Sequence, residues 1–288
     1  MTLTIGIVNY NTKRNLKKCI NSILRNPPDC DYQIVIVDNN SSDGSKNFLK
    51  KISKKKIKTI YNRKNIGFGK ACNQISKTQK SSYILFLNPD VEITKNSINI
   101  LLNFLKGSKK IGVVTGKLLF PDGSLQLSCR QFPTILRALF GRESFLRKAF
   151  PNNAISKEYL LSHLDYNKIQ FPDWVRGAVM LFKTDIFNEI GGFDERFFLF
   201  FEDTDICLQL RKKDYEIVYL PDAIFYHKLA ASTKKEKLKT KIIHNISMFN
   251  YIKKNMNYNF ILLSFLFIAL IARLVFIFII LSFKEMKV

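Results

Sequence analysis

The chain has 288 residues, of which 47% are hydrophobic and 24% are charged, a balance that excludes an intrinsically disordered protein. Its length is sufficient for one large domain or two small ones with a sizeable hydrophobic core. The net charge of +23 favours anionic partners and leaves nucleic acid, anionic lipid and phosphorylated small molecules as candidate classes.

The cysteines indicate the redox compartment. There are five of them, an odd number, and no two stand in a Cys-x-x-Cys arrangement. This usage is typical of reduced thiols in a cytosolic compartment and not of a disulfide framework.

Short apolar segments alternate with helical patterns in the first third of the chain. The predicted strands cover residues 3–9, 33–38, 57–61 and 83–88, and helical spacing follows the first strand and recurs at 44–53 and 68–79. Short strands that are apolar throughout, with helices between them, predict a parallel sheet covered on both faces. The expected fold class is therefore a doubly wound α/β unit.

The second part of the chain is less regular. Strand patterns occur at 111–120, 177–183 and 216–220, and Pro-Asp-Gly at 121–123 predicts the turn of a hairpin. Residues 128–172 are rich in Phe, Leu, Arg and Pro and are interpreted as an insertion with short helices. Both a lipid-facing insertion and an ordinary surface excursion fit its composition.

Acidic residues stand where predicted strands end. Asp38 ends the second strand, and Asp90 lies two residues past the end of the fourth. Ligands in open α/β sheets bind outside the carboxyl ends of the strands, so both side chains are expected in one crevice. Gly67 and Gly69 would let the backbone approach a ligand where a helix begins. Their spacing fits neither the dinucleotide fingerprint nor the P-loop.

A further acidic cluster opens an amphipathic helix with Glu202 and Asp203, and His227 ends a later apolar run just after a predicted turn at Pro221–Asp222. Alone, such acids serve as helix-terminal charges and such a histidine as a core residue. Several acids in one cleft repel each other, however, and a divalent cation would compensate them. Carboxylate oxygens with a histidine suit Mn²⁺ or Mg²⁺ better than a structural zinc.

An ordered set of motifs resembles the inverting glycosyltransferases of family 2, and within them the rhamnosyltransferase-like branch, bacterial enzymes that build surface polysaccharides. The motifs, in chain order, are VNYN, VIVDNNSSDGS, NIGFGKACN, YILFLNPDVEI, WVRGAVMLFK, GGFDERFFLFFEDTDICLQLRKK and AIFYH. They span about residues 3 to 228, and the resemblance is specific because many motifs occur in the right order. It implies the GT-A fold, a mostly parallel α/β sheet with flanking helices that joins a nucleotide-binding half to an acceptor-binding half.

The resemblance also implies a nucleotide site. Asn9 and Asn11 match residues near the nucleoside, and Asp38 matches the acid that contacts its base or ribose. The segment around Gly67 matches one that lines the nucleotide. Asn88 stands at the first position of the family's Asp-x-Asp motif, next to the nucleotide, and leaves the metal with one charged ligand fewer.

Metal and catalytic roles follow from the same resemblance. Asp90 matches the metal-binding acid and His227 a histidine that completes the metal site, with Mn²⁺ or Mg²⁺ as cofactor. Asp203 matches the general base, and Glu202 is its acidic neighbour in the catalytic pair. The residues expected where acceptor and donor sugar meet are Trp174, Arg176 and Gly177.

The reaction implied is sugar transfer with inversion from a nucleotide-sugar donor to a lipid-linked or growing surface polysaccharide. The resemblance favours dTDP-rhamnose; UDP-galactofuranose, UDP-GlcNAc and other UDP-hexoses are the alternatives. A basic nucleic-acid-binding protein would also explain the charge, but the sequence contains no recognised nucleic-acid module. We therefore expect no nucleic-acid partner.

The C-terminal region predicts membrane association. Residues 260–283 are apolar except for Arg273 and are long enough to cross a bilayer as a helix. A central arginine is unfavourable in lipid, which leaves open whether the segment spans the bilayer or lies along it. The Lys-rich stretch 232–254 suits anionic headgroups. We expect the protein at the cytoplasmic face of the inner membrane, anchored or docked by this region.

These features predict the domain organisation. Residues 1–231 would form the GT-A domain, with a nucleotide-binding half at 1–110 and an acceptor-binding half at 111–231 that contains the insertion. Residues 232–288 would form the basic helix and the apolar, membrane-associated helix.

Overall fold

The structure is a computed structural model that describes residues 2–52, 56–78, 80–134, 154–228 and 237–285. The middle of the predicted insertion, residues 135–153, lies outside the described residues.

The elements alternate at first and become irregular later. The strands are β1 (Leu3–Asn9), β2 (Tyr32–Asp38), β3 (Ile57–Tyr61), β4 (Tyr83–Leu87), β5 (Val91–Ile93), β6 (Ile111–Leu119), β7 (Leu125–Gln126), β8 (Cys129–Arg130), β9 (Trp174–Val175), β10 (Val179–Lys183) and β11 (Glu216–His227). The helices are α1 (Lys13–Arg25), α2 (Ser45–Ile52), α3 (Phe68–Thr78), α4 (Ser97–Lys106), α5 (Ala154–Tyr159), α6 (Thr184–Glu189), α7 (Glu202–Lys212), α8 (Lys237–Asn255) and α9 (Phe260–Glu285).

The main sheet is mixed. Its strand order is β3-β2-β1-β4-β10-β6-β11-β5, with β7 paired to β6, while β8 and β9 form a separate ribbon. The β1–β2, β1–β4, β2–β3 and β6–β11 pairs are parallel; β10 runs antiparallel to β4 and β6, β5 to β11, and β7 to β6. The prediction of a mostly parallel sheet is therefore wrong beyond β4. Helical crossovers impose parallel pairing on β1 to β4, whereas the short hairpin after β6 imposes antiparallel pairing on β7. The antiparallel placement of β10 and β5 depends on contacts between segments that are distant in sequence.

The core lies on both faces of the sheet. On one face Leu3 and Ile5 of β1 belong to a buried cluster that continues into α1 and α4. On the other face Val35 of β2 and Phe86 of β4 join a cluster with Ile75 of α3. Side chains on successive strand residues point to opposite faces, so a strand covered on both faces is apolar throughout, as the sequence predicted.

The predicted turn at Pro221–Asp222 is wrong. Strand β11 continues through these residues to His227, with an irregularity in its register between Leu220 and Ile224 against β6. A proline is tolerated at such a bulge because no ladder hydrogen bond is required there. Consequently His227 is fixed at the end of a long strand and not on a loop.

The C-terminal helices pack on one another and on the α/β part. The predicted helix at 232–254 corresponds to α8, and α9 contacts it through a stripe that contains Leu263, Leu266 and Leu270. Within the part of the chain that the structure describes, no helix combines the length and the hydropathy needed to cross a bilayer.

Candidate active site

Three segments that are distant in sequence meet at one edge of the sheet. Asn9 and Asp38, the last residues of β1 and β2, are register partners. Strand β10 pairs antiparallel with β4 so that Val179 faces Leu87. The residues before β10 therefore lie beside those that follow β4, and the Asn88 N–H donates to the carbonyl oxygen of Ala178 at 2.9 Å. Strand β6 runs in the same direction as β4, because both are antiparallel to β10. Strand β11 is parallel to β6, so its carboxyl end lies at this same edge.

Buried and half-buried hydrogen bonds join the loop after β1 to the loop after β2. The Asn9 amide donates to Asp38 Oδ1 at 2.7 Å and to Ser41 Oγ at 3.0 Å, and the Ser41 N–H donates to Asp38 Oδ2 at 3.1 Å. Both oxygens of the Asp38 carboxylate thus hold protein groups, and only 1% of the residue is exposed. Asn11, half-buried with a φ of 54°, accepts a hydrogen bond from the Ser42 N–H. The nucleotide contacts of Asn9, Asn11 and Asp38 stay predictions.

The glycine segment has a structural reason for its composition. Gly67 has a φ of +91°, and a Cβ there would lie 2.5 Å from the carbonyl oxygen of Phe198. That oxygen accepts a hydrogen bond from the Phe68 N–H at 2.9 Å, and Asn39 donates to the Gly67 carbonyl at 3.1 Å. A side chain at position 67 would clash with the segment that precedes α7. It would push the Gly67 segment, and the loop after β2 that is bonded to it, away from that segment.

Asp90 and His227 form a buried pair. Nε2 of His227 lies 3.3 Å from Oδ1 of Asp90, and their side chains are 4% and 9% exposed. On the other side of the ring, Nδ1 lies 2.6 Å from Oε1 of Gln126. The Gln126 amide nitrogen donates to the His227 carbonyl oxygen at 3.4 Å, which fixes the orientation of the amide because a carbonyl can only accept.

The orientation of Gln126 determines the tautomer of His227. An amide oxygen accepts a hydrogen bond, so Nδ1 must carry a proton. Nε2 then faces the Asp90 carboxylate, and a cation, either a proton or a metal ion, is needed between the two groups. An outer partner that sets the tautomer in this way is typical of metal-ligating histidines. Sequence reasoning did not find Gln126, because its contact with His227 depends on the β6–β7 hairpin.

The pair fits a divalent ion that is completed by substrate. Among the described residues, no group of three or more His, Cys, Asp or Glu side chains could hold a metal ion. Mg²⁺ is commonly held by one or two carboxylates together with substrate phosphates and water, and Mn²⁺ accepts the same hard oxygen ligands and imidazole. Asp90 and His227 supply such a partial set. Asn88, half-buried beside Asp90, adds no charge.

A cleft opens next to Asp90. It has a volume of about 390 Å³ and is lined by Asn15, Lys18, Asp90, Glu92, Pro121, Tyr226 and Lys228. Two lysines therefore stand at the wall that contains the Asp90 carboxylate, and Lys18 is paired with Glu92 at 3.5 Å. A cleft with cationic groups beside a metal-capable carboxylate can accept a diphosphate.

Asp203 is aimed at the sheet edge by backbone groups. Its Oδ2 accepts a hydrogen bond from the Gly177 N–H at 2.9 Å, and its Oδ1 accepts one from the Thr204 N–H at 2.8 Å. A Cβ on Gly177 would lie 3.2 Å from the Asp203 Cβ, so glycine permits this close approach. Because Gly177 lies beside the residues that follow β4, Asp203 reaches the same edge as Asp90.

The two acids of the pair have different surroundings. Asp203 is half-buried, whereas Glu202 is 6% exposed and its Oε2 has no hydrogen-bond partner among the described residues. Burial, and next the charge of Asp203, raise the pKa of Glu202 well above its ordinary value. Burial also raises the pKa of Asp203, while hydrogen bonds from Gly177 and Thr204 and the charge of Arg176 offset part of that increase. Glu202 therefore keeps its proton to a higher pH than an exposed glutamate does, and its catalytic role stays a prediction.

The predicted sugar-contact residues surround Asp203. Arg176 donates its N–H to the Ser128 carbonyl at 3.1 Å, next to Gly177. Trp174 is half-buried, and its indole N–H donates to the Gln131 carbonyl at 2.7 Å. The β8–β9 ribbon thus presents these residues beside the base candidate. Their contacts with sugars stay predictions.

Comparison with known sequences determines the family. The profile that describes glycosyl transferase family 2 matches residues 4–160, more than half of the chain. The chain belongs to glycosyl transferase family 2. The family inferred from the motifs is confirmed, and the protein is a glycosyltransferase.

Relatives of this family 2 enzyme include rhamnosyltransferases. It is 26% identical over 230 residues to an N-acetylglucosaminyl-diphospho-decaprenol L-rhamnosyltransferase of Mycobacterium tuberculosis, with 76% of this chain and 74% of the relative covered. It is also 26% identical over 229 residues to the rhamnosyltransferase WbbL of Escherichia coli K12, with 75% and 80% covered. The similarity to the rhamnosyltransferase-like branch is confirmed.

Solved structures support the fold of this family 2 enzyme. The mannosyltransferase PcManGT of Pyrobaculum calidifontis, determined with GDP-Man and Mn²⁺, aligns with a TM-score of 0.57 at 13% identity over 89% of this chain and 64% of that one. Residues 1–349 of S. aureus TarS with UDP-GlcNAc align with a TM-score of 0.56 at 16% identity, covering 92% and 70%. The fold is GT-A-like, with a mixed sheet in place of the predicted mostly parallel one.

Proposed function

We propose that this family 2 enzyme transfers a sugar, with inversion, from a nucleotide-sugar donor to a lipid-linked or growing surface polysaccharide. The observation that carries the proposal is the hydrogen bond from the Gly177 N–H to Asp203. It brings a carboxylate to the sheet edge where Asp90 pairs with His227. We infer that a proton acceptor and a candidate diphosphate site lie along this one edge, as a direct displacement requires.

Transfer would proceed in one displacement. The acceptor hydroxyl oxygen forms a bond to the anomeric carbon while the bond from that carbon to the diphosphate oxygen breaks, and its electron pair leaves with the diphosphate. Asp203 accepts the hydroxyl proton and must lie about 3 Å from that oxygen. Lys18 and Lys228, at the wall of the cleft, stabilise the negative charge of the leaving diphosphate. Asp90 and His227 would hold a divalent ion, which when bound supplies further stabilisation of that charge.

The donor we propose is dTDP-rhamnose. Its support comes from the relatives, because two of the similar proteins are rhamnosyltransferases. A UDP-sugar is the second candidate, since TarS of similar fold was determined with UDP-GlcNAc. The relative named for an N-acetylglucosaminyl-diphospho-decaprenol substrate supports a lipid-linked acceptor.

A donor panel tests this function. Full-length protein is incubated with Mn²⁺, an N-acetylglucosaminyl-diphospho-polyprenol acceptor and, in turn, dTDP-rhamnose, UDP-galactofuranose and UDP-GlcNAc, and release of the nucleoside diphosphate is measured. We expect turnover with dTDP-rhamnose and at least about tenfold less with the UDP-sugars, because recognition by contacts with donor hydroxyls discriminates strongly. Release from a UDP-sugar alone would show that the proposed donor is wrong and that the proposed reaction is right. No release from any donor would contradict the proposed function.

We also propose that α8 and α9 dock on an anionic membrane surface at the cytoplasmic face. The stripe of α9 that packs on α8 leaves more than half of the described helix circumference uncovered, and Phe260, Phe265 and Ile268 are 84%, 66% and 62% exposed. Lys239 and Lys253 are exposed on α8. Apolar side chains next to lysines suit the boundary between acyl chains and anionic headgroups.

The double variant Phe265→Glu/Ile268→Glu should lose lipid binding, because two carboxylates would enter the lipid boundary. We expect the wild type to float with vesicles of phosphatidylglycerol and phosphatidylcholine, and the double variant to float at least about tenfold less. The control is Phe171→Glu, which changes an aromatic residue that is 55% exposed outside these helices and should float like the wild type. Equal flotation of the double variant and the wild type would contradict docking through this surface.

A further inference from the structure

Helix α8 covers the segment that leads into the base candidate. Phe197 and Phe201, which precede α7, share one buried cluster with Met248 and Tyr251 of α8. The Ser247 hydroxyl donates to the Leu199 carbonyl oxygen at 2.8 Å. The C-terminal region is therefore joined to the α/β part at the approach to Asp203.

A single ammonium group ties this junction together. Nζ of Lys254 lies 2.7 Å from Oδ2 of Asp194 and 2.7 Å from Oδ2 of Asp205. The three side chains are 21%, 14% and 2% exposed. Asn255 donates to the other oxygen of Asp205 at 2.9 Å. Because the pairs are largely buried, water and salt screen them little, unlike a surface ion pair.

The segment between the two carboxylates has an unusual backbone. Phe200 and Phe201 have φ values of 69° and 67°, a left-handed conformation that non-glycine residues adopt only when their surroundings hold them in it. Phe198 in the same segment accepts the hydrogen bond from Phe68. Asp194 precedes the segment and Asp205 follows it within the first turn of α7, so Lys254 closes the segment from both sides.

We propose that Lys254 is a positioning residue for the transfer reaction: by joining Asp194 to Asp205 it fixes the first turn of α7 and thereby aims Asp203 at the sheet edge. The inference rests on the proposed function, in which Asp203 is the base. Without the ammonium group, the side-chain hydrogen bonds that remain to the buried Asp205 carboxylate within the described residues come from the neutral amides of Asn255 and Gln209. Moving this carboxylate toward water would rotate the first turn of α7 and with it Asp203.

The test compares Lys254→Met with Lys106→Met in the full-length protein. Lys106 is an exposed lysine at the end of α4, so the control makes the same chemical change outside the junction and outside the proposed membrane surface. With the donor that the panel selects from dTDP-rhamnose, UDP-galactofuranose and UDP-GlcNAc, we expect Lys254→Met to lower kcat about 10- to 100-fold. The donor KM should change less than about threefold, because the two ion pairs of Lys254 go to Asp194 and Asp205 and not to the predicted nucleotide residues. Lys254→Arg should recover most of the activity, since a guanidinium can also join two carboxylates.

A purely structural role predicts a different result. In that case Lys254→Met would lower Tm while leaving kcat per folded molecule at the wild-type value, and this outcome would overturn the proposal. Should Lys254→Met not fold, Asp194→Asn decides, because it opens the junction and leaves Lys254 on Asp205. It should lower kcat about tenfold at constant donor KM, and a wild-type kcat would overturn the proposal. Wild-type transfer by Asp203→Asn would instead refute the base assignment, which keeps the two failures distinct.

Discussion

Asp203→Asn is expected to lower kcat by about 10²- to 10⁴-fold, the range that a general base contributes. An asparagine amide keeps the size of the carboxylate but cannot take the proton from the acceptor hydroxyl. Its oxygen can still accept the hydrogen bond from Gly177, so the segment before β10 should stay in place. Transfer kinetics give kcat, and calorimetric titration with dTDP and UDP should give wild-type affinities because the nucleotide loops are unchanged.

The matched control is Asp214→Asn, an exposed acid just beyond the other end of α7, which should transfer like the wild type. The wild-type pH profile adds a second check. Because burial raises the pKa of Asp203, the base becomes protonated at a higher pH than an exposed aspartate does. We expect kcat to fall as pH decreases through that raised pKa, and the fall to be absent from the residual activity of Asp203→Asn. Wild-type kcat in Asp203→Asn would remove Asp203 from this role.

Asp90→Ala is expected to abolish the dependence of nucleotide binding on Mn²⁺. The carboxylate is the anionic ligand of the Asp90–His227 pair, and its removal leaves the imidazole as the remaining ligand of that pair. Loss of outer partners alone typically weakens metal binding 10- to 100-fold. We therefore expect Asp90→Ala to weaken Mn²⁺ binding in the presence of UDP or dTDP by more than about 100-fold. Calorimetry or the Mn²⁺ electron paramagnetic resonance signal gives the affinity without any turnover.

The Mn²⁺ affinities of two further variants are compared with that of Asp90→Ala. Gln126→Leu removes the partner that sets the His227 tautomer and should weaken Mn²⁺ binding by about 10- to 100-fold. Asp222→Ala removes an exposed acid of β11 and should bind Mn²⁺ like the wild type. Unchanged Mn²⁺ affinity in Asp90→Ala would mean that the family's metal position is not used in this chain.

Strands were predictable from the sequence where burial of apolar side chains determines the structure. β1, β2 and β4 are largely apolar runs next to helical patterns, and burial on both sheet faces makes such runs recognisable in the sequence. The three-residue strand β5 was missed because Val91–Ile93 alternates like any loop of its length. The reversed insertion of β10 between β4 and β6 was also missed, since strand order depends on contacts between distant segments.

The site residues also differ in how well the sequence predicted them. Asp38 and Asp90 could be placed at the sheet edge because Asp38 ends one apolar run and Asp90 stands shortly after another. The residues that support the site from other segments could not be predicted. Gln126 contacts His227 across 101 positions of the chain, and Lys254 contacts Asp205 across 49. Lys254 belongs to a Lys-rich stretch whose composition favours an exposed face, and only the packing of α8 on α7 buries it.

The stereochemistry of the product tests the central claim most directly. With the productive donor, the product sugar is examined by NMR, and the C1–H1 coupling gives its anomeric configuration. Direct attack assisted by Asp203 requires the configuration opposite to that of the donor. A product that keeps the donor's configuration would contradict the account, because a single displacement at the anomeric carbon cannot produce it.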